Sequence, residues 1–276
     1  MKKKNKILLG LASLTLVAAL VGCGTKEDKG SQGKAINENK IVVGVTSGPH
    51  EQIAEVAAKV AKENGLEVEL KTFSDYVLPN TSLAEGDLDV NSYQHKPFLD
   101  AFNKDHKTDL VPVGKTILTP MGIYSEKYKS LDEVPDGATF GLPNDPTNGA
   151  RALFVLQEAG IIKLKEGADL TASIRDVEEN KKNFKFIELE AAQIPKQLSE
   201  VDVAAINTNF ALDAGIDPKK DSILLESTNS PYVNYIAVRA ENEDDPAIKK
   251  FVKAYQSDEV RKFIEEEFKG SIIPSW

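Results

Sequence analysis

Residues 40–73 read KIVVGVTSGPHEQIAEVAAKVAKENGLEVELKTF, and they contain one full turn of an alternating fold. Lys40 to Val45 is a short β-branched run, the pattern of a buried strand. Thr46-Ser-Gly48 is a turn, and Pro49 stands where a first helical residue tolerates a missing N–H. Ile53, Val56, Ala57, Val60 and Ala61 then recur at helical spacing until Asn64-Gly65 stops the helix. Leu66 to Phe73 alternates as a second strand.

The alternation continues downstream. It predicts helices over 79–85, 97–105, 191–199, 208–214, 246–256 and 258–268, and one running from the loop after Pro143 through Gln157. Strands are expected over 88–91, 111–113, 117–124, 138–142, 184–189, 201–206, 222–225 and 234–238. Such a sequence predicts an α/β protein with largely parallel sheets. Polar, turn-rich stretches at 125–137 and 227–230 are where the chain is expected to pass between two lobes. Lobe 1 would then hold residues 40–124 and 229–276, lobe 2 residues 125–228, with a ligand cleft between them.

Ahead of this body lies an address. Lys2, Lys3, Lys4 and Lys6 precede an apolar run from Ile7 to Val21 that is broken only by Gly10, Ser13 and Thr15. Fifteen residues fall short of the about 20 needed to span a bilayer core, so residues 1–22 read as a signal peptide. Leu20-Val-Gly-Cys23 resembles a bacterial lipobox, which makes Cys23 the site of acylation and of anchorage to a lipid membrane on its extracytoplasmic face. Residues 23–39 read as a flexible tether.

Composition excludes several classes. Lys and Arg number 34 against 43 Asp and Glu; without the four leading lysines the balance is 30 against 43, a charge of −13. No nucleic-acid partner is expected from so acidic a body. One Cys and three His rule out a disulfide framework and a Cys/His metal cage, and no metal or cofactor is expected. The chain has no G-x-S-x-G, no P-loop, no G-x-G-x-x-G and no H-E-x-x-H, so nothing points to an enzyme.

Four stretches place polar and aromatic groups at strand ends: Phe73-Ser-Asp-Tyr-Val-Leu-Pro-Asn80, Asp87-Leu-Asp-Val-Asn-Ser-Tyr-Gln-His-Lys-Pro97, Gly141-Leu-Pro-Asn-Asp-Pro-Thr-Asn148 with Arg151, and Ile206-Asn-Thr-Asn209 with Ser230-Pro-Tyr-Val-Asn234. Aromatic walls with a few aimed polar groups suit a small-molecule pocket. Arg151 offers a guanidinium fork for a carboxylate, and Asn207 and Asn234 can serve either end of a zwitterion. Each residue also has a structural reading. Phe73, Tyr76 and Tyr93 could be core and His95 a satisfied structural histidine. Asn207 could be a helix cap, and Arg151 one half of a surface ion pair. Asn144, Asn148 and Asn209 lie in the same motifs without an assigned contact.

Together these motifs resemble the methionine-binding lipoproteins of ABC importers, the NlpA-type family, from about Lys40 to the carboxyl terminus. The resemblance implies a two-lobed periplasmic-binding-protein-like fold (type II), monomeric, that closes on L-methionine and delivers it to a permease driven by an ATPase. It implies that Arg151 grips the α-carboxylate, that Asn207 and Asn234 orient carboxylate and amine, and that Phe73, Tyr76, Tyr93 and His95 enclose the side chain. Another amino acid, a methionine-containing dipeptide, or a surface role as adhesin or immunogenic lipoprotein are the alternatives. Arg151→Ala is expected to cripple binding while ligand-free melting changes little.

Overall fold

The computed structural model describes residues 36–276, so the lipobox and Cys23 lie outside the described residues. Ile36 is buried against the first hydrophobic core. Part of the stretch expected to be tether thus packs on the body, because an apolar side chain gains by leaving water.

The first half of the chain runs β1 (Lys40–Thr46), α1 (Pro49–Glu63), β2 (Glu67–Phe73), α2 (Leu78–Glu85), β3 (Val90–His95), α3 (Lys96–His106), β4 (Leu110–Lys115), β5 (Ile117–Leu118), β6 (Gly122–Tyr124), β7 (Thr139–Pro143) and α4 (Pro146–Glu158). There follow β8 (Ile162–Leu164), β9 (Val177–Asn180), β10 (Lys185–Leu189), β11 (Val203–Ile206), α5 (Thr208–Asp213), α6 (Pro218–Asp221), β12 (Ser222–Leu225), β13 (Asn234–Arg239), α7 (Pro246–Tyr255), α8 (Asp258–Phe268) and β14 (Ile273–Pro274).

Two five-stranded sheets organise these elements, in the orders β2-β1-β3-β13-β4 and β10-β7-β11-β6-β12. Both have the same winding. Three parallel strands are followed by one reversed strand, β13 or β6, and then by a strand that resumes the first direction. In each sheet the reversed strand is the one that arrives from the other sheet. Each sheet buries its own core. Ile53, Ala57 and Ala61 of α1 pack with Ile248 and Phe251 of α7 on the first; Leu153 and Leu156 of α4 pack with Phe140 and Val203 on the second.

The first passage between the sheets corrects an expected boundary. β6 pairs with β11 and β12, so the chain has already joined the second sheet by Gly122. The first passage is therefore residues 119–121, not the polar stretch 125–137, which is a surface excursion carrying a short 3₁₀ turn at Leu131–Glu133. The second passage is residues 226–233. The expected strand over 117–124 is accordingly two strands in two different sheets.

Two further differences have local causes. Residues 191–199 form 3₁₀ turns, Ala191–Gln193 and Pro195–Glu200, because Pro195 has no N–H to continue an α-helical ladder. β3 extends to His95, beyond the expected Asn91. Every residue of β3 is buried, and its side-chain amides find partners there: Asn91 and Gln94 both donate to Asn80 Oδ1, at 2.8 and 2.6 Å.

This winding gathers one class of position. His95 ends β3, Asn207 directly follows β11, Asn148 and Arg151 lie in the first turns after β7, and Asn234 begins the reversed β13 opposite His95. The carboxyl edges of parallel strands carry the polar residues, as open α/β sheets dispose their ligand sites.

Candidate functional site

A narrow cavity lies where these edges meet. It is lined from the first sheet by Tyr76, Tyr93, Gln94, His95, Phe98 and Asn234, and from the second by Asn148, Arg151, Asn207 and Asn209, with Thr119 from the first passage. Six of the seven residues expected at the ligand are here. Phe73 is not. Its ring packs beside Leu88, Leu83 and Val42, on a separate cluster, because the side chain of the last β2 residue turns onto the sheet rather than past its edge.

Hydrogen bonds set the direction of each amide. Asp145 caps α4 by accepting from the Asn148 N–H at 2.9 Å, and both its oxygens accept from Asn148 Nδ2. Burial raises the Asp145 carboxyl above its ordinary range, against those bonds. Asn148 Oδ1 then accepts from Asn207 Nδ2 at 2.8 Å and from His95 Nε2 at 3.1 Å. The other His95 nitrogen accepts from the Phe98 N–H at 3.1 Å and so caps α3. Burial, helped by the positive charge of Arg151, holds His95 down at about 3, so the ring is neutral. His95 is thus both a structural cap and a cavity wall.

Asn207 occupies the capping position of α5 but makes no side-chain cap bond. Its amide is committed to Asn148 instead, which leaves Asn207 Oδ1 buried without a hydrogen-bond partner. Asn209 is turned the opposite way. Tyr76 donates to Asn209 Oδ1 at 2.6 Å, leaving Asn209 Nδ2 buried and unpartnered. Asn234 Nδ2 donates to the Tyr93 carbonyl and to His50 Nε2, each at 3.0 Å. His50 is neutral because burial alone lowers it to about 4, and with Nε2 accepting, its Nδ1 donates to Thr46 Oγ1 at 2.7 Å. The Asn234 amide oxygen is the end left toward the cavity.

Arg151 is buried, with 1 % of its side chain exposed, and it is not a surface ion pair. Its Nε contacts both Glu226 oxygens at 3.1 Å, and Nη2 donates to Glu226 Oε2 at 2.5 Å and to the Thr119 carbonyl at 2.7 Å. The guanidinium carbon lies 4.5 Å from the centre of the Tyr232 ring. Among the described residues Nη1 makes no hydrogen bond, so one N–H edge stays available within the cavity.

The cavity therefore offers donors at Arg151 Nη1 and Asn209 Nδ2 and acceptors at Asn207 and Asn234, beside Tyr76, Tyr93, Phe98 and His95. An unpaired buried polar atom costs about 1–3 kcal/mol, so these groups fit a ligand that carries both an acceptor and a donor head. Two of the bonds, His95–Asn148 and Tyr76–Asn209, join first-sheet to second-sheet elements and hold the cleft shut.

Residues 41–276 match the family model described as NlpA lipoprotein. The chain belongs to this family. It is 48 % identical to the D-methionine-binding lipoprotein MetQ of Escherichia coli (strain K12), over 99 % of each chain. A nutrient binding protein from Burkholderia cenocepacia, solved bound to methionine, superposes with a TM-score of 0.84 at 51 % identity, covering 86 % of this chain and 100 % of that one. An ABC transporter periplasmic substrate-binding protein from Coxiella burnetii does so with a TM-score of 0.82 at 42 % identity, covering 85 % and 100 %. NlpA membership agrees with the two-lobed α/β architecture and with the resemblance read from the motifs.

Gln94, Phe98, Thr119, Asn148 and Asn209 were not among the expected ligand residues. Asn148 and Asn209 carried a signal, since both stand in the quoted motifs. Phe98 follows the second motif by one residue, and its ring meets those of Tyr76, Tyr93 and His95 edge-on. Thr119 had none; only the passage between sheets brings it in.

Proposed function

We propose that this protein is the substrate-binding lipoprotein of an ABC importer and that it captures methionine by closing its two lobes. The observation that carries the reading is the opposed pair of orphan atoms, Asn207 Oδ1 and Asn209 Nδ2, buried beside the free edge of Arg151. Arg151 Nη1 and Asn209 Nδ2 would hold the α-carboxylate, and the oxygens of Asn207 and Asn234 the α-ammonium. Tyr76, Tyr93, Phe98 and His95 would enclose the thioether, whose sulfur gains about 0.3–1.5 kcal/mol at an aromatic edge. The names of the MetQ relatives and the methionine-bound neighbour support that ligand.

Binding would work through differential contacts. Groups from both sheets meet the ligand only when the cleft is closed, so the ligand shifts the population toward that state. A membrane permease and its ATPase would then recognise the closed, loaded form. Acylated Cys23 would keep the receptor at the membrane's outer face, and the body would act as a monomer.

Calorimetric titration with L-methionine, the enantiomer proposed, and with D-methionine tests the ligand. Small-angle scattering tests closure: the radius of gyration should fall on saturation. Failure of both enantiomers to bind would end the methionine reading, and an unchanged scattering profile would end the closure mechanism. Cys23→Ser should release the protein from membranes after a salt wash; a variant that stays bound would remove the anchor.

A further inference from the structure

Glu226 is a buried charge that ligand capture, as described, does not use. It opens the second passage, its side chain is 6 % exposed, and it stands behind Arg151 rather than in the cavity wall. Besides Arg151, its carboxylate accepts from the Met121 N–H at 2.9 Å and from the Ser230 hydroxyl at 3.0 Å. Met121 and Thr119 belong to the first passage, Glu226 and Ser230 to the second, so the guanidinium is fastened to both crossings of the chain.

The charges around the cavity then add up in a particular way. Arg151 is the one permanent cation of the lining. Glu226 is bonded to it, and the half-buried carboxylate of Asp145 lies behind Asn148. His50 and His95 are neutral and supply no balancing charge. A carboxylate entering this frame meets a hydrogen-bond donor but no surplus of positive charge. Burying a charge without compensation is costly, so the ligand must bring its own cation.

Resting on the amino-acid reading above, we propose that Glu226 is a positioning and specificity-determining residue: by balancing Arg151 it restricts the site to zwitterions and rejects carboxylate anions of the same shape. The class of ligand is an α-amino acid with an uncharged side chain. Dicarboxylic amino acids and deaminated acids are excluded by charge rather than by size.

The test uses the full chain in detergent and a matched pair of probes, methionine and 4-(methylthio)butanoate, which keeps the thioether and carboxylate but lacks the ammonium. Wild-type protein should prefer methionine by about a hundredfold or more. Glu226→Gln should narrow that preference by about tenfold or more, whatever it does to absolute affinity. Glu226→Asp, which keeps the charge, should leave the preference within about twofold of wild type. A merely structural role would weaken both probes alike and leave their ratio untouched. The proposal is overturned if wild type binds the anion within about tenfold of methionine, if Glu226→Gln leaves the ratio unchanged, or if Glu226→Asp narrows it as much as Gln does. Should Glu226→Gln fail to fold, the wild-type and Asp ratios still decide. Should wild type ignore methionine altogether, the methionine reading falls by itself. Glu226 is then judged by whether Glu226→Gln gains a melting-temperature response to the anion that wild type lacks; no gain overturns it.

Discussion

Replacing Arg151 by alanine removes the proposed carboxylate contact and, in the same stroke, the one cation bonded to Glu226 among the described residues. The two oxygens of Glu226 keep the Met121 N–H and the Ser230 hydroxyl, but the charge itself, on a side chain only 6 % exposed, loses its partner. Breaking a buried pair on one side costs about 3–5 kcal/mol. For a chain of this size each kcal/mol lowers the melting temperature by about 2–4 °C, so a ligand-free drop of roughly 6–20 °C is expected. This reverses the expectation drawn from the sequence, where Arg151 read as a free fork whose loss would leave melting nearly unchanged. Arg151→Met/Glu226→Leu removes both charges and fills the space with apolar chains, and it should recover most of the loss. Neither protein should bind methionine well: losing the carboxylate partner costs about 2–5 kcal/mol, roughly 30- to several-thousand-fold. Circular-dichroism melts with and without methionine read both effects. If Arg151→Ala melts within about 2 °C of wild type, or if the double variant is no more stable than the single, the buried-pair argument is wrong.

Three further outcomes are expected. Tyr76→Phe deletes the 2.6 Å bond that crosses to Asn209, and methionine affinity should fall by about tenfold, mostly through faster release; stopped-flow dissociation at the wild-type rate would show that the bond is no latch. Phe73→Leu should leave affinity within about twofold while costing under about 1.5 kcal/mol of stability, since the ring packs away from the cavity; a large affinity loss would return Phe73 to the site. Acid should destabilise the protein through its histidines. His50 and His95 sit at about 4 and about 3 in the folded state against about 6.5 unfolded, so the unfolded chain protonates first as pH falls. Their contribution is therefore complete above about 6.5 and drains toward 4 and 3, at about 1.4 kcal/mol per pH unit for each. Asp145, raised by burial, acts with the opposite sign at the acidic end. Equal stability in denaturant melts at pH 6.5 and 5 would refute the buried neutral imidazoles.

Much of the fold was legible because it is written in local spacing. The run from Lys40 to Phe73 became β1, α1 and β2 with nearly the expected bounds, since period-2 and period-3.6 apolar patterns and the Pro49 and Gly65 boundaries act within a few residues. Where a strand's environment is not local, the pattern gave less. β3 reads as polar from Asn91 to His95, yet it is a central strand whose amides are satisfied by Asn80 of α2. The first passage between lobes was misplaced for a related reason. Polar composition marks surface, and 125–137 is surface, but which sheet receives Gly122–Tyr124 is settled by pairing with β11 and β12, eighty and a hundred residues away.

The site divides along the same line. Residue types at strand ends, together with the family resemblance, were enough to name Tyr76, Tyr93, His95, Arg151, Asn207 and Asn234, all of which line the cavity. What those side chains present was decided only in three dimensions. An asparagine is donor and acceptor at once, and a sequence does not say which end faces a ligand. Asn148 turns Asn207 to show its oxygen, Tyr76 turns Asn209 to show its nitrogen, and His50 and the Tyr93 carbonyl take the nitrogen of Asn234. Arg151 likewise reads as a free cation until Glu226, seventy-five residues later, is found bonded to it. Helix and strand follow from neighbours along the chain, which the sequence states directly. The polarity and charge of a cleft follow from partners across it, and only the folded chain brings those into contact.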